Sequence, residues 1–137
     1  MNRFDFQVLA EERVEDAKAL LVAGRHGAAY YLCGYAVECA LKAWIAKGTR
    51  EHDFPPRDSG SLYTHKLSDL LDKADSARSW SHECQINPDL ERNWALAKDW
   101  NERARYDVSV TLLRAQGLFQ AVTDPLNGVL TCLRRYW

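Results

Sequence analysis

The residues best suited to chemistry lie together in one short stretch of the sequence, 103–107. Arg103, Arg105, Tyr106 and Asp107 fall there, at what the residue pattern predicts to be the end of a helix. Guanidinium groups bind phosphate through paired hydrogen bonds, and a tyrosine ring can stack on a base. These four are therefore candidate residues for binding a phosphate-bearing ligand. In the alternative interpretation, the arginines only offset the negative end of the helix and the tyrosine packs against its neighbours.

A second charged pair, Glu38 and Lys42, stands in the most apolar run of the sequence. The acid precedes the base by four residues, which is the favourable order for an ion pair on one helix face. Two interpretations are open. The pair is either an ordinary ion pair on an exposed helix edge, or it lines a groove or a dimer interface, where partial burial would strengthen it. Glu38 and Lys42 are therefore candidate groove-lining residues.

Several kinds of site are absent from the sequence. The seven glycines are scattered, and no phosphate-binding loop of the Gly-x-x-x-x-Gly-Lys type occurs. There is no His-Glu-x-x-His motif. Glu51, His52 and Asp53 are adjacent, so they cannot easily converge on one metal ion, and a solvated loop is the simpler interpretation. The sequence therefore predicts no metal site and no cofactor.

Composition limits the class of protein. The 137 residues fit one domain, 1–137, and 47 % apolar with 27 % charged residues is typical of a soluble globular chain. The net charge of -1 excludes a uniformly basic nucleic-acid-binding surface but leaves a local basic patch possible. Four cysteines without a Cys-x-x-Cys pair indicate free thiols in a reducing compartment. No signal peptide is recognisable, and Glu38 and Lys42 would be costly in lipid. We expect a cytoplasmic protein with no membrane span.

Helical periodicity accounts for the elements that must position these residues. An amphipathic helix is predicted over 5–23, ended by Gly24. The segment 26–47 is apolar nearly all the way round, so as a helix it must be covered on most sides and form the centre of a bundle. The segment 49–63 carries Pro-Pro and Ser-Gly-Ser turn chemistry and is predicted to be a loop, and a short helix follows over 64–74.

The second half of the chain continues the helical pattern. The polar segment 75–86 is ambiguous, with Trp80 expected to hold part of it against the core. Asn87-Pro88-Asp89 is a strong helix start, and that helix is predicted to end near 105–107. Another helix is predicted over 108–123, followed by a break at Asp124-Pro125, with Asp124 as the cap of a last short helix. The predicted fold class is all-α, an up-and-down four-helix bundle with short extra helices.

Three segments resemble, in their order and spacing, the HEPN domain family (higher eukaryotes and prokaryotes nucleotide-binding). The segment 30–43 resembles the family's second helix, with its Ala-Val-Glu-x-x-Leu-Lys core. The segment 64–71 is similar to its short His-x-Leu helix, and 104–107 is similar to the Arg-Tyr-Asp signature that closes its third long helix. The stretch 122–130 also resembles the tail of many members. The resemblance covers most of the chain.

The resemblance implies an up-and-down helical bundle, often dimeric, and two kinds of function. Some members are metal-independent RNases, often toxins, in which an Arg is followed four to six residues later by a His. A base then activates the ribose 2′-hydroxyl while Arg steadies the phosphate. Other members lack that pair and serve as nucleotide-binding or partner modules, commonly beside a small nucleotidyltransferase.

This sequence departs from the RNase pattern, because no histidine follows Arg103 or Arg105 and the last one is His82. We therefore expect a dimeric, HEPN-like nucleotide- or RNA-binding module, paired with a minimal nucleotidyltransferase and not a nuclease. One alternative is a metal-independent, toxin-like RNase with another base. A second is a purely structural partner. Glu38 falls where the family has its Glu, so we also expect it to edge the same groove as Arg105.

Overall fold

A computed structural model describes residues 1–48 and 64–137. The predicted loop 49–63 lies outside these residues, and so do Glu51, His52 and Asp53. The described part is all-helical, as predicted, with no strand in it. Its helices are α1 (Arg3–Val22), α2 (His26–Lys47), α3 (Leu67–Ala74), α4 (Ser79–Ile86), α5 (Pro88–Lys98), α6 (Leu112–Thr123) and α7 (Val129–Leu133), with a short 3-10 helix (Glu102–Tyr106) between α5 and α6.

The first two helices form a hairpin. Asn2 caps α1: its side chain accepts a hydrogen bond from the Asp5 N–H at 3.0 Å, and the Asp5 carboxylate accepts one from the Asn2 N–H at 2.9 Å. This reciprocal cap starts the helix two residues before the predicted position. The predicted stop is confirmed, because Gly24 adopts a φ of 76°, which favours glycine.

Helix α2 is the centre of the fold, as its apolar sequence predicts. Thirteen of its 22 residues are buried, and α1, α3, α6, α7 and the 3-10 helix all pack against it. One hydrophobic core takes buried side chains from every α-helix. All four cysteines are free thiols in this core, as expected. None of the helices within 1–48 and 64–137 is long and apolar enough to cross a membrane.

The ambiguous segment before α5 forms a short helix, α4. Trp80 holds it against the core, as expected, and is only 1 % exposed. Asp75 supplies the cap that α4 lacks locally: its carboxylate accepts hydrogen bonds from the backbone N–H groups of Trp80 and Ser81, both at 3.2 Å. The turn between them needs a left-handed residue, and Arg78 adopts a φ of 59°.

Helix α5 begins as predicted but ends earlier. Asn87 caps it, accepting from the Leu90 N–H at 3.2 Å, with proline at the first helical position. The prediction that this helix reaches 105–107 is wrong, since it ends at Lys98. The physical reason is Trp100, which turns inward and is 2 % exposed. Asn101 then caps a separate 3-10 helix through the Arg103 N–H at 2.9 Å.

The next two predicted helix starts are also corrected. Helix α6 begins at Leu112 and not near 108, because the Thr111 side chain accepts from the Arg114 N–H and caps it there. Asp124 does not cap the last helix. Its carboxylate accepts from the N–H groups of Leu126 and Asn127 and makes a turn, and α7 begins only after Gly128.

Trp100 lies in a notch made by Gly34 of α2. A Cβ atom placed on Gly34 would come within 2.3 Å of the Trp100 ring, which is far closer than van der Waals contact. Only glycine therefore lets the indole lie flat on α2 at this point. Since the 3-10 helix starts two residues after Trp100, this contact positions the candidate residues Arg103, Arg105 and Tyr106.

Candidate ligand-binding site

Arg105 lies on the surface of the 3-10 helix beside aromatic rings. Its guanidinium carbon is 4.9 Å from the centre of the Tyr106 ring, and Tyr106 is itself 74 % exposed. Hydrogen bonds to the side chains of Tyr106 and Tyr31 raise the pKa of Arg105 above its ordinary value. Among the described residues, no carboxylate forms an ion pair with this guanidinium. As far as the described residues go, the group is a permanent cation on the surface with no acidic partner.

Tyr31 connects Arg105 to the centre of the fold. Its ring stacks on Trp100, with centroids 5.9 Å apart, and on Tyr35 one helical turn along α2, at 6.2 Å. Both tyrosines are half-buried. Burial, with Cys39 and Glu38 as neighbours, raises the pKa of Tyr35 to about 12, so its hydroxyl stays protonated at neutral pH. Sequence reasoning did not single out either tyrosine, because tyrosines in an apolar helix usually belong to the core.

Glu38 is buried, and it binds two cationic or titratable side chains. Its side chain is 1 % exposed; Lys42 Nζ lies 3.3 Å from Oε2, and His65 Nδ1 lies 2.7 Å from Oε1. The ion pair predicted from the four-residue spacing is confirmed, but the interpretation that it lies on an exposed edge is wrong. His65 was missed as a site residue. Its only signal was its place in the Thr-His-x-Leu segment, since the contact spans 27 residues.

These residues share one side of α2. Tyr31, Tyr35, Glu38 and Lys42 follow at steps of four, three and four, and we call them the α2 row. Tyr31 is among the groups that raise the pKa of Arg105, and Glu38 lies seven residues after Tyr31, about 10 Å along the helix axis. The structure therefore brings Arg105 and Glu38 to the same side of α2, joined by two tyrosine rings.

Asp107 is engaged within its own loop. Its Oδ1 accepts hydrogen bonds from the Ser109 N–H at 2.8 Å and from the Ser109 hydroxyl at 2.6 Å. Arg114 donates to Oδ2 at 3.3 Å and lies over the Tyr30 ring. The Ser109 hydrogen bonds, with the Arg114 charge, lower the pKa of Asp107. Asp107 thus connects the 3-10 helix to α6 through Arg114.

Arg103 is the least constrained of the predicted residues. It is exposed, and its backbone N–H donates a hydrogen bond to the Asn101 side chain at 2.9 Å. Nothing in the described part of the chain joins its guanidinium to that of Arg105. The structure therefore places Arg103 on the same short helix as Arg105.

The described residues offer no metal site. Within 1–48 and 64–137, no three His, Cys, Asp or Glu side chains are grouped so that they could hold a metal ion. The arrangement can instead bind an anion at Arg105 and a flat ring at Tyr106, with the α2 row extending the surface towards Lys42 and His65.

Comparison with known proteins identifies no relative: no family model, no curated protein and no solved structure matches this chain. The resemblance to the HEPN family therefore stays a prediction that the sequence motifs carry.

Proposed function

We propose that this protein is a HEPN-like helical module that binds a phosphate-bearing ligand, a nucleotide or a segment of RNA, through Arg105 and Tyr106. The single observation that carries the proposal is the exposed Arg105 guanidinium, which lies over the Tyr106 ring and has no acidic partner among the described residues. Surface arginines commonly pair with a nearby carboxylate. A guanidinium held over a tyrosine ring instead presents both a phosphate-binding group and a stacking surface.

The α2 row favours the interpretation that the ligand is an extended molecule and not a single ion. Tyr31 and Tyr35 are stacked on each other and partly exposed on one side of α2, and rings of this kind accept bases without regard to sequence. Lys42 supplies a second cation further along, although its charge is paired with Glu38. A short single-stranded segment matches this order of groups, with a phosphate at Arg105 and bases along the rings.

Under the same proposal the module works with protein partners, as a homodimer with the HEPN-like four-helix arrangement and beside a small nucleotidyltransferase in the cytoplasm. Exposed apolar side chains next to Arg105 support a protein contact there. Tyr106 is 74 %, Leu113 79 % and Val108 fully exposed, which is unusual for three apolar residues so close in sequence.

Arg105→Ala is expected to weaken the binding of nucleotides and short RNA by about ten- to a hundredfold, because hydrogen bonds to a charged group contribute roughly 1.5–3 kcal/mol. Isothermal titration calorimetry of wild type and variant measures the change. Arg92→Ala is the matched control, since Arg92 is also exposed but pairs with Asp89 on α5. Equal affinity of wild type and Arg105→Ala, or no binding by wild type, would contradict the assignment.

A second candidate function, metal-independent RNA cleavage, is favoured by one observation. His65 is half-exposed and its Nδ1 contacts the buried Glu38 carboxylate, an arrangement that orients an imidazole as a base. Incubating the protein with RNA in EDTA tests this function. Cleavage that His65→Gln lowers by about a hundredfold, the scale of general-base catalysis, would support it, and no cleavage above the Arg105→Ala control would remove it.

A further inference from the structure

An open cavity of about 560 Å³ lies at the C-terminal end of α2. The last turn of α2 lines it, together with the end of α3, the start of α4 and the pair Arg135 and Tyr136. Its volume lies within the range of small-ligand sites, about 300–1,000 Å³. Trp44, which lines the cavity, is two residues after Lys42 and therefore about 200° round the helix from it. The cavity is thus on the other side of α2 from the α2 row.

Two stacked aromatic rings form one side of the cavity. The centroids of Trp44 and Tyr136 are 4.4 Å apart, with 25° between the ring planes. Neighbours hold Tyr136 in place: its hydroxyl donates to Glu83 at 2.6 Å, and its ring meets the buried Trp80 edge-on at 5.9 Å. A pair of rings constrained in this way presents a flat apolar surface that needs little ordering when a ligand binds.

Three cationic side chains surround the same space. Lys47, Lys73 and Arg135 all line the cavity. Arg135 pairs with Glu83, but no carboxylate among the described residues pairs with either lysine. Each lysine lies in the last turn of its helix, where it also offsets the negative helix end. That effect explains a lysine on each helix separately, but it does not explain why both line one cavity with an aromatic pair.

The acid that lines the cavity is already engaged. Asp75 is 5 % exposed, and its two oxygens accept the N–H groups of Trp80 and Ser81. Arg135 is offset by Glu83, so Lys47 and Lys73 are the cations of the lining that have no carboxylate partner among the described residues. The cavity therefore favours an anion that can meet both lysines.

We propose that this cavity binds a small aromatic dianion of the aryl phosphate class, with the ring against Trp44 and Tyr136 and the phosphate between Lys47 and Lys73. Each half of the ligand gains only part of the available contacts. A ring gains from the stacked pair, and a phosphate gains from the lysines, so a molecule that carries both binds more tightly than either part.

Phenyl phosphate, inorganic phosphate and phenol are the three probes, titrated separately by calorimetry. Phenyl phosphate is expected to bind saturably and about two- to tenfold more tightly than either of the other two, the effect of one aromatic contact. The double variant Lys47→Gln/Lys73→Gln is expected to lose about tenfold or more in phenyl phosphate affinity. Trp44→Leu is expected to abolish the preference for phenyl phosphate over inorganic phosphate, a readout that does not depend on the lysine variant.

Two controls make the test specific. Lys18→Gln/Lys98→Gln changes the net charge equally at two exposed lysines outside the cavity and is expected to bind like wild type. Arg105→Ala is also expected to bind phenyl phosphate like wild type, so this proposal and the proposed function fail separately. Absence of saturable phenyl phosphate binding, an equal loss in the control double variant, or a loss in Arg105→Ala would each overturn the proposal.

Discussion

Gly34→Ala is expected to lower the free energy of unfolding by about 3–5 kcal/mol, the scale of losing a large buried aromatic side chain. The new methyl group would lie 2.3 Å from the Trp100 ring. Overpacking alone costs about 1–3 kcal/mol when neighbours can shift. Trp100 cannot shift far, because it is 2 % exposed and stacked on Tyr31, so the indole must leave its notch. Urea unfolding followed by circular dichroism measures the change.

Gly117→Ala is the matched control for this variant. Gly117 lies within α6, and a Cβ atom placed on it would meet nothing within 4 Å. Replacing a helical glycine by alanine in open space stabilises by roughly 0.5–1 kcal/mol, so the two substitutions are expected to act in opposite directions. If the free energy of unfolding of Gly34→Ala is within about 1 kcal/mol of the wild-type value, the indole has another place to pack and the notch is not required.

The same substitution has a consequence for the candidate site. Trp100 precedes the 3-10 helix, and its stacking on Tyr31 is what brings that helix to α2. If the indole is expelled, Arg105 loses its place beside Tyr31. Loss of nucleotide binding is therefore expected together with the loss of stability, although Gly34 is too buried to touch a ligand itself.

Glu38→Gln is expected to destabilise the protein by about 3 kcal/mol or more, because breaking a buried ion pair leaves its partner uncompensated. The substitution keeps the shape of the side chain and removes only the charge that faces Lys42 and His65. Lys42 is itself only 15 % exposed, so its ammonium group would lack both a partner and full hydration. Thermal and urea unfolding of the variant measure the effect.

The exposed pair Glu11 and Arg134 supplies the comparison. Its two hydrogen bonds are short, 2.7 and 2.8 Å, yet both side chains are about 40 % exposed or more. Glu11→Gln is therefore expected to cost less than about 1 kcal/mol. Adding Lys42→Met to Glu38→Gln is expected to restore part of the lost stability, since no unpaired cation remains. Equal small effects at Glu38 and Glu11 would mean that solvent reaches the Glu38 cluster.

Several parts of the fold were predictable because they depend on neighbours in the sequence. The apolar surround of α2 predicts a central helix, and thirteen of its residues are buried. Gly24 and Asn87 end and begin helices where their local chemistry predicts. The pair Glu38 and Lys42 forms at the spacing that helix geometry requires. Each of these interactions spans at most a few residues, so the pattern contains both partners.

Two of the errors have the same physical origin, which is competition from distant contacts. Helical periodicity continues past Lys98, yet α5 ends there because Trp100 gains more from the notch at Gly34 than from one further helical turn. The exposed-edge interpretation of Glu38 failed for a similar reason, since a residue 27 positions away, His65, covers it.

The sequence by itself determined the all-α class, the central position of α2, the helix ends at Gly24 and Asn87 and the place of Arg105 next to a tyrosine. These follow from periodicity and short-range hydrogen bonds, which act within one or two helical turns. The tertiary structure alone decided which side of α2 Arg105 meets, that Glu38 is buried between Lys42 and His65, and that a cavity with cationic and aromatic sides forms at the far end of α2. Those features depend on contacts between residues that are far apart in the sequence. Such contacts form only when the chain folds, and the pattern of neighbouring residues does not specify them.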